Sequence, residues 1–171
     1  MKKSHVRKSY EHRNDLAGEF KWGDIGQIIF LFVFVIGLIS DLLLFNFSNF
    51  IQNFFPWYFQ IIIFLFLFFT AGYFSQRSHK IIFQEERKGL IIIKSDVYAR
   101  IRHPMYFGFI LIYLAFVILS LSIIAFIIFI IICIFYYYIS RYEEQLLIEK
   151  IGDEYKDYMK KVPMFIPKLR K

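Results

Sequence analysis

The densest group of side chains that could do chemistry lies in residues 98–108, YARIRHPMYFG. Proline suits the first turn of a helix, so we expect a helix to begin near Pro104. Arg102 and His103 would then lie beside a helix N-terminus, which favours an anionic group such as a carboxylate. Tyr106 follows one turn later on the face of His103. Alternatively, Arg102 and His103 anchor the helix to lipid headgroups, and Tyr106 belongs to an interfacial aromatic belt.

A second charged group, Arg141-Tyr142-Glu143-Glu144, directly follows a long apolar run. Carboxylates at a membrane boundary are costly unless they are paired or bind a ligand. These residues therefore predict either an interhelical ion pair or one wall of a binding site. A metal site is not expected, because His5, His12 and His79 are isolated and Cys133 is the only cysteine.

The composition indicates that the protein lies in a membrane. Of 171 residues, 58% are hydrophobic and 22% aromatic. A soluble domain of this size has too little polar surface to cover so many apolar side chains. The segments 25–45, 57–74 and 106–139 contain a single charged side chain, that of Asp41. About 20 apolar residues cross a bilayer as a helix, so we expect an all-α integral membrane protein.

The apolar run 106–139 is too long for one crossing, and Ser120-Leu121-Ser122 interrupts it near the middle. We therefore predict four spans, of which the last two form a short helical hairpin over 105–140. The 21 Lys and Arg residues all fall in 1–24, 76–104 and 141–171. By the positive-inside rule, this distribution predicts that both termini are cytosolic and makes nucleic acid an improbable partner.

The predicted organisation has three parts: a basic cytosolic leader (1–24), two N-terminal spans (25–76) and a functional core (77–171). Within the core, the hairpin should bring 102–106 beside 141–144. Five apolar residues of the tail recur at helical spacing and predict an amphipathic cytosolic helix continuing from the fourth span: Leu147, Ile151, Tyr155, Tyr158 and Val162. Gly152 makes a bend there plausible.

The sequence resembles the isoprenylcysteine carboxyl methyltransferase family. RHPMYFG at 102–108, followed after the hairpin by EEQLLIEKIGDEYKDYMKKVPMFIP at 143–167, carries the resemblance. It covers roughly residues 80–167, and the two N-terminal spans match only in number and polarity. The resemblance implies an integral membrane methyltransferase that uses S-adenosylmethionine, and a lipid-like or prenylated acceptor that enters from the bilayer.

The resemblance also implies which residues would bind the cofactor. They are Gln84, Leu90, Ile91, Ile92, Ile93, Tyr98, His103, Pro104, Met105, Tyr106 and Glu143. Arg102 joins them because a cation beside a helix N-terminus suits the carboxylate of the cofactor. Arg141 could orient an acceptor carboxylate, and Glu144 is the nearest candidate base if the acceptor is an amine. The family's substrate-orienting arginine often lies four residues before the cofactor glutamate, where this chain has Ile139. The turn before Tyr98, which is Ser95-Asp96-Val97, also lacks the family's glycine.

We therefore expect methyl transfer to the carboxylate of a prenylated cysteine or a similar isoprenoid acid. Three alternatives stay open at this point: phospholipid amine methylation, a membrane reductase with a nicotinamide cofactor, and a non-enzymatic helical bundle. The sequence does not reveal the oligomeric state.

Overall fold

The structure is a computed structural model that describes residues 23–45, 55–84 and 92–166. Within these ranges the chain is helical, and no strand occurs. The α-helices are α1 (Gly23–Ser40), α2 (Trp57–Gln84), α3 (Pro104–Ser120), α4 (Ile123–Ile151) and α5 (Asp153–Lys161). A π-helical turn, Asp41–Phe45, extends α1, and a short 3-10 helix, Asp96–Ala99, precedes α3.

Three helical segments are long and apolar enough to cross a bilayer: Ile25–Leu43, Trp57–Ile82 and Ile123–Ile151. They support the prediction of an integral membrane protein. The apolar helix α3 has 17 residues, about 26 Å at 1.5 Å per residue, and is shorter than an ordinary crossing. The predicted count of four spans and the cytosolic placement of the tail therefore remain predictions.

The predicted hairpin is present. Leu121 has a left-handed backbone (φ 50°) and ends α3, and the Ser122 hydroxyl accepts a hydrogen bond of 3.1 Å from the Ala125 amide at the start of α4. Helix α4 continues without interruption to Ile151. Gly152 follows with φ 77°, which favours glycine, so the predicted bend occurs there.

Helices α1 and α4 pack antiparallel. A side chain at Gly26 would collide with the Phe135 ring, and one at Gly37 with Ile128, so both glycines allow close approach. Asp41 is buried and accepts a hydrogen bond from the Ser122 hydroxyl. This contact marks one end of the bundle, which we call the turn end. The start of α3 lies at the opposite end, the site end.

Helices α2 and α3 pack closely at Gly108. A Cβ atom there would lie 2.4 Å from the Ser75 hydroxyl oxygen and 3.0 Å from the Ala71 carbonyl oxygen. Small residues at a helix crossing let two backbones approach, a common arrangement in membranes. Because Phe74 and Phe107 stack edge to face beside this crossing, α2 fixes the first turns of α3.

Replacing Gly108 with alanine should therefore destabilise the protein. Overpacking of this kind costs about 1–3 kcal/mol, so we expect the thermal midpoint in detergent to fall by about 3–10 °C. Gly72→Ala is the matched control, because a Cβ atom at Gly72 meets nothing within 4 Å. Equal midpoints for the two variants would contradict the close helix crossing.

The predicted apolar stripe of the tail is buried, but the tail helix folds back after Gly152 instead of continuing α4. Tyr155, Tyr158 and Val162 form a buried cluster against Leu147, Ile148, Ile151 and Ile92. The Tyr158 hydroxyl donates a hydrogen bond of 2.6 Å to the Tyr98 carbonyl, which ties α5 to the 3-10 helix. The helix ends at Lys161, two residues before Pro163.

Several predictions fall on residues outside the described ranges. They concern the basic leader, apart from its last two residues, and the cofactor residues Leu90 and Ile91. Gln84 is the last residue of α2, but its side chain is not described. The division into leader, spans and core stays a prediction.

Candidate active site

The loop before α3 is joined to the end of the tail by backbone hydrogen bonds. The Arg102 amide donates to the Pro163 carbonyl at 2.9 Å, and the His103 amide donates to the Met164 carbonyl at 3.2 Å. Pro104 is the first residue of α3, as predicted. Proline suits this position because it has no amide hydrogen that would need a partner. The candidate site is therefore built where three parts of the chain meet: the start of α3, α4 and the segment after α5.

Asp96 forms the turn that precedes this loop. Its φ of 57° lies in the left-handed region, where aspartate is better tolerated than most residues. It therefore supplies the turn although the segment has no glycine. The Asp96 carboxylate also accepts a hydrogen bond of 2.5 Å from Nε of Arg77 on α2.

Arg102 holds two helices together. Its Nε donates to Oε1 of Glu144 at 2.7 Å, and its Nη1 donates to the carbonyls of Met159 and Val162 at 2.8 Å each. Carbonyls in the last turn of a helix lack intrahelical donors, so the guanidinium satisfies groups that α5 leaves free. The ion pair with Glu144 is almost fully buried.

His103 lies between two carboxylates. Its Nε2 is 3.3 Å from Oε1 of Glu144, and its Nδ1 is 3.6 Å from Oε2 of Glu143. The His103 and Tyr106 rings are nearly parallel, with centroids 5.8 Å apart, so the predicted shared face is confirmed. The Tyr106 hydroxyl donates a hydrogen bond to Oε1 of Glu143.

Arg141 lies at the rim of this cluster. Its Nη1 is 3.5 Å from Oε2 of Glu144, but 47% of its side chain is exposed. The guanidinium is therefore available to a further anion, whereas Glu144, 1% exposed, is enclosed by Arg102, His103 and Arg141.

The remaining predicted site residues have other surroundings. Tyr98 is buried with Val97 and Ile101, and Ile93 packs on that group. Ile92 packs on the tail cluster instead. Met105 lines an open groove between α2 and α3.

Three residues beside the cluster were not predicted from the sequence. Tyr136 is buried, with its ring centroid 5.3 Å from that of Tyr106. Ser140 is completely buried, and its hydroxyl has no hydrogen-bond partner among the described residues. The Phe165 ring lies 6.2 Å from His103. Helical spacing could have identified the first two, since 136, 140 and 144 recur every four residues.

A sequence profile of the isoprenylcysteine carboxyl methyltransferase (ICMT) family matches residues 59–149, more than half of the chain. The chain belongs to this family. The resemblance expected from the sequence is thereby confirmed. A comparison with curated proteins finds no match.

The match to the ICMT family extends from the start of α2 almost to the end of α4. It therefore includes Arg102, His103, Tyr106, Arg141, Glu143 and Glu144, which the fold brings to one place. It ends before Gly152, so the tail segment that completes the cluster lies beyond it. Family membership indicates a membrane methyltransferase.

The site of this ICMT family member should respond to pH through His103. Burial lowers the pKa of His103 from its ordinary 6.5, although the hydrogen bond and charge of Glu144 act against this shift and Arg102 supports it. Glu143 and Tyr106 also face the ring. Below pH 6.5 the unfolded chain protonates His103 more readily than the folded protein does. The free energy of unfolding therefore falls as the pH drops below 6.5.

We expect the stability lost between pH 7 and pH 5.5 to be smaller in His103→Gln than in the unmodified protein. One such histidine changes the free energy of unfolding by at most about 1.4 kcal/mol per pH unit. Thermal midpoints measured across this range will test the effect. His79→Gln is the control, because His79 is exposed. A pH dependence that is unchanged in His103→Gln would contradict the shifted pKa.

Proposed function

We propose that the protein transfers a methyl group from S-adenosylmethionine to the carboxylate of a prenylated cysteine or a similar isoprenoid acid. The observation that carries the proposal is the part-buried contact of His103 and Tyr106 with Glu143, inside the segment that matches the family. Aromatic, imidazole and carboxylate groups converge there from two helices at the site end of the bundle.

The residues present fit the proposed donor. S-adenosylmethionine supplies an electrophilic methyl group on a sulfonium that also bears an amino acid and an adenosine. Glu143 can accept hydrogen bonds from ammonium or hydroxyl groups, and the start of α3 favours a carboxylate. The buried Ser140 hydroxyl, one turn from both Tyr136 and Glu144, offers a polar group that no described residue uses.

The proposed acceptor needs no general base, because a carboxylate is already ionised. The work left to the protein is to align the two reactants and to exclude water. Arg141 can bind the acceptor carboxylate with two parallel hydrogen bonds, because its guanidinium is half exposed at the rim. Ile139, at the position where the family often has arginine, is buried and apolar.

Amine methylation is less well supported. It would require a base to remove a proton, and Glu144 is the nearest candidate. Glu144 contacts Arg102, His103 and Arg141 and is almost inaccessible. A carboxylate held by three cationic or imidazole side chains is a poor base, so the site favours an acceptor that is already an anion.

We also propose that all four apolar helices cross the bilayer, with the site end in the cytosol and both termini on that side. The distribution of Lys and Arg supports this orientation. The contact of Asp41 with Ser122 supports it too, since it brings the end of α1 to the hairpin turn. The short helix α3 could cross where the bilayer is thinned.

Binding of S-adenosylhomocysteine to the detergent-purified protein tests the donor. We expect a saturable thermal shift and calorimetric heat, neither of which a nicotinamide-dependent reductase or a non-enzymatic bundle would give. Radiolabelled methyl transfer to a prenylated cysteine in membranes then tests the acceptor. The product should release its label in base as an ester does; a base-stable product would exclude carboxyl methylation.

A further inference from the structure

A groove of about 680 Å³ lies between α2 and α3, beside the carboxylate cluster but separate from it. Three of its lining residues carry basic groups and lie in the last two turns of α2: Arg77, His79 and Lys80. No acidic side chain among the described residues lines it. Arg77 is bound by Asp96, whereas Lys80 is exposed and forms no ion pair with any described residue.

The other lining residues are aromatic, sulfur-containing or uncharged polar residues: Tyr73, Phe109, Met105, Ser75 and Gln76. Tyr73 lies one turn before Arg77 on α2, and its side chain is largely exposed. Met105 and Phe109 face it from successive turns of α3. Along the groove, the aromatic groups of Tyr73 and Phe109 lie towards the middle of the bundle, whereas the cationic groups lie towards the site end, as Met105 does.

We infer that this groove binds an anionic phospholipid of the surrounding bilayer. The phosphate lies beside Lys80 and Arg77, and an acyl chain follows Tyr73 and Phe109. Cationic side chains at the end of a membrane helix attract anionic headgroups, and arginine can bind phosphate with two hydrogen bonds. The change from apolar to basic lining matches the change from acyl chain to headgroup in such a lipid.

The lipid would also support the neighbouring site. Phe109 lines the groove and stacks on Tyr136, with ring centroids 6.2 Å apart. Tyr136 in turn contacts Tyr106, the residue that binds Glu143. A lipid held against Phe109 therefore stabilises the first turns of α3. This inference does not depend on methyl transfer, because its readouts are lipid binding and thermal stability.

The experiment adds phosphatidylglycerol or phosphatidylcholine with identical acyl chains to the full chain purified in detergent. Native mass spectrometry and the thermal midpoint report binding. We expect phosphatidylglycerol to bind more tightly and to raise the midpoint more. Removing each charge should weaken this preference about 5-fold, so Arg77→Gln with Lys80→Gln should weaken it about 30-fold.

The matched control is Arg100→Gln with Lys150→Gln, which removes the same charge from exposed residues outside the groove. This control should keep the preference for phosphatidylglycerol. Equal binding of the two lipids, or an equal loss in the control, would overturn the inference. An equal midpoint shift with inorganic phosphate alone would overturn the inference in favour of a free anion. Displacement of the lipid by a soluble prenylated cysteine would overturn it in favour of the methyl acceptor.

Discussion

Replacing Glu143 with glutamine is expected to weaken binding of S-adenosylhomocysteine about 10- to 100-fold, with a comparable loss of methyl transfer. The carboxylate accepts a hydrogen bond from Tyr106 and faces Nδ1 of His103. Glutamine preserves the shape but removes the charge. Hydrogen bonds to charged groups contribute about 1.5–3 kcal/mol, which corresponds to this range of affinity. Calorimetry on the detergent-purified protein will measure the loss.

Glu149→Gln is the matched control, because Glu149 is exposed further along the same helix. It should bind S-adenosylhomocysteine as the unmodified protein does. If Glu143→Gln and its control bind equally well, Glu143 does not hold the donor. If neither the unmodified protein nor the control binds at all, the proposed donor itself is wrong.

Replacing Arg102 with glutamine should cause the largest loss of stability among the variants considered. It leaves Glu144 buried without its strongest partner and frees the carbonyls of Met159 and Val162. Removing one member of a buried ion pair costs about 3–5 kcal/mol. At about 2–4 °C per kcal/mol, the thermal midpoint should fall by at least about 6 °C.

Two further variants separate this effect from a general effect of charge. Arg100→Gln removes an exposed charge two residues away and should leave the midpoint nearly unchanged. The double variant Arg102→Gln with Glu144→Gln should lose less stability than the sum of the single variants, because it leaves no unpaired buried charge. Strict additivity would contradict the ion pair.

Much of the site could be predicted because it follows helical spacing. Pro104 marked the start of α3, and the three-residue step from His103 to Tyr106 put both on one face. The interruption at Ser120–Ser122 predicted the hairpin that brings Glu143 beside them. Each of these inferences needed only the residue order and the 3.6-residue period of a helix.

Other features have no signature in the sequence. The partners of Arg102 include the backbone carbonyls of Met159 and Val162, and any residue type supplies a carbonyl. The resemblance to the family implies that Met105 and Tyr106 both line the cofactor pocket. Consecutive helical residues point about 100° apart, so Met105 faces the groove while Tyr106 faces α4.

The link between Arg102 and the tail also sets the order in which the protein can mature during synthesis. The carbonyl of Met159 that Arg102 binds is supplied 57 residues later in the chain. The loop before α3 can therefore take its final backbone pairing only after residues 159–164 have emerged from the ribosome.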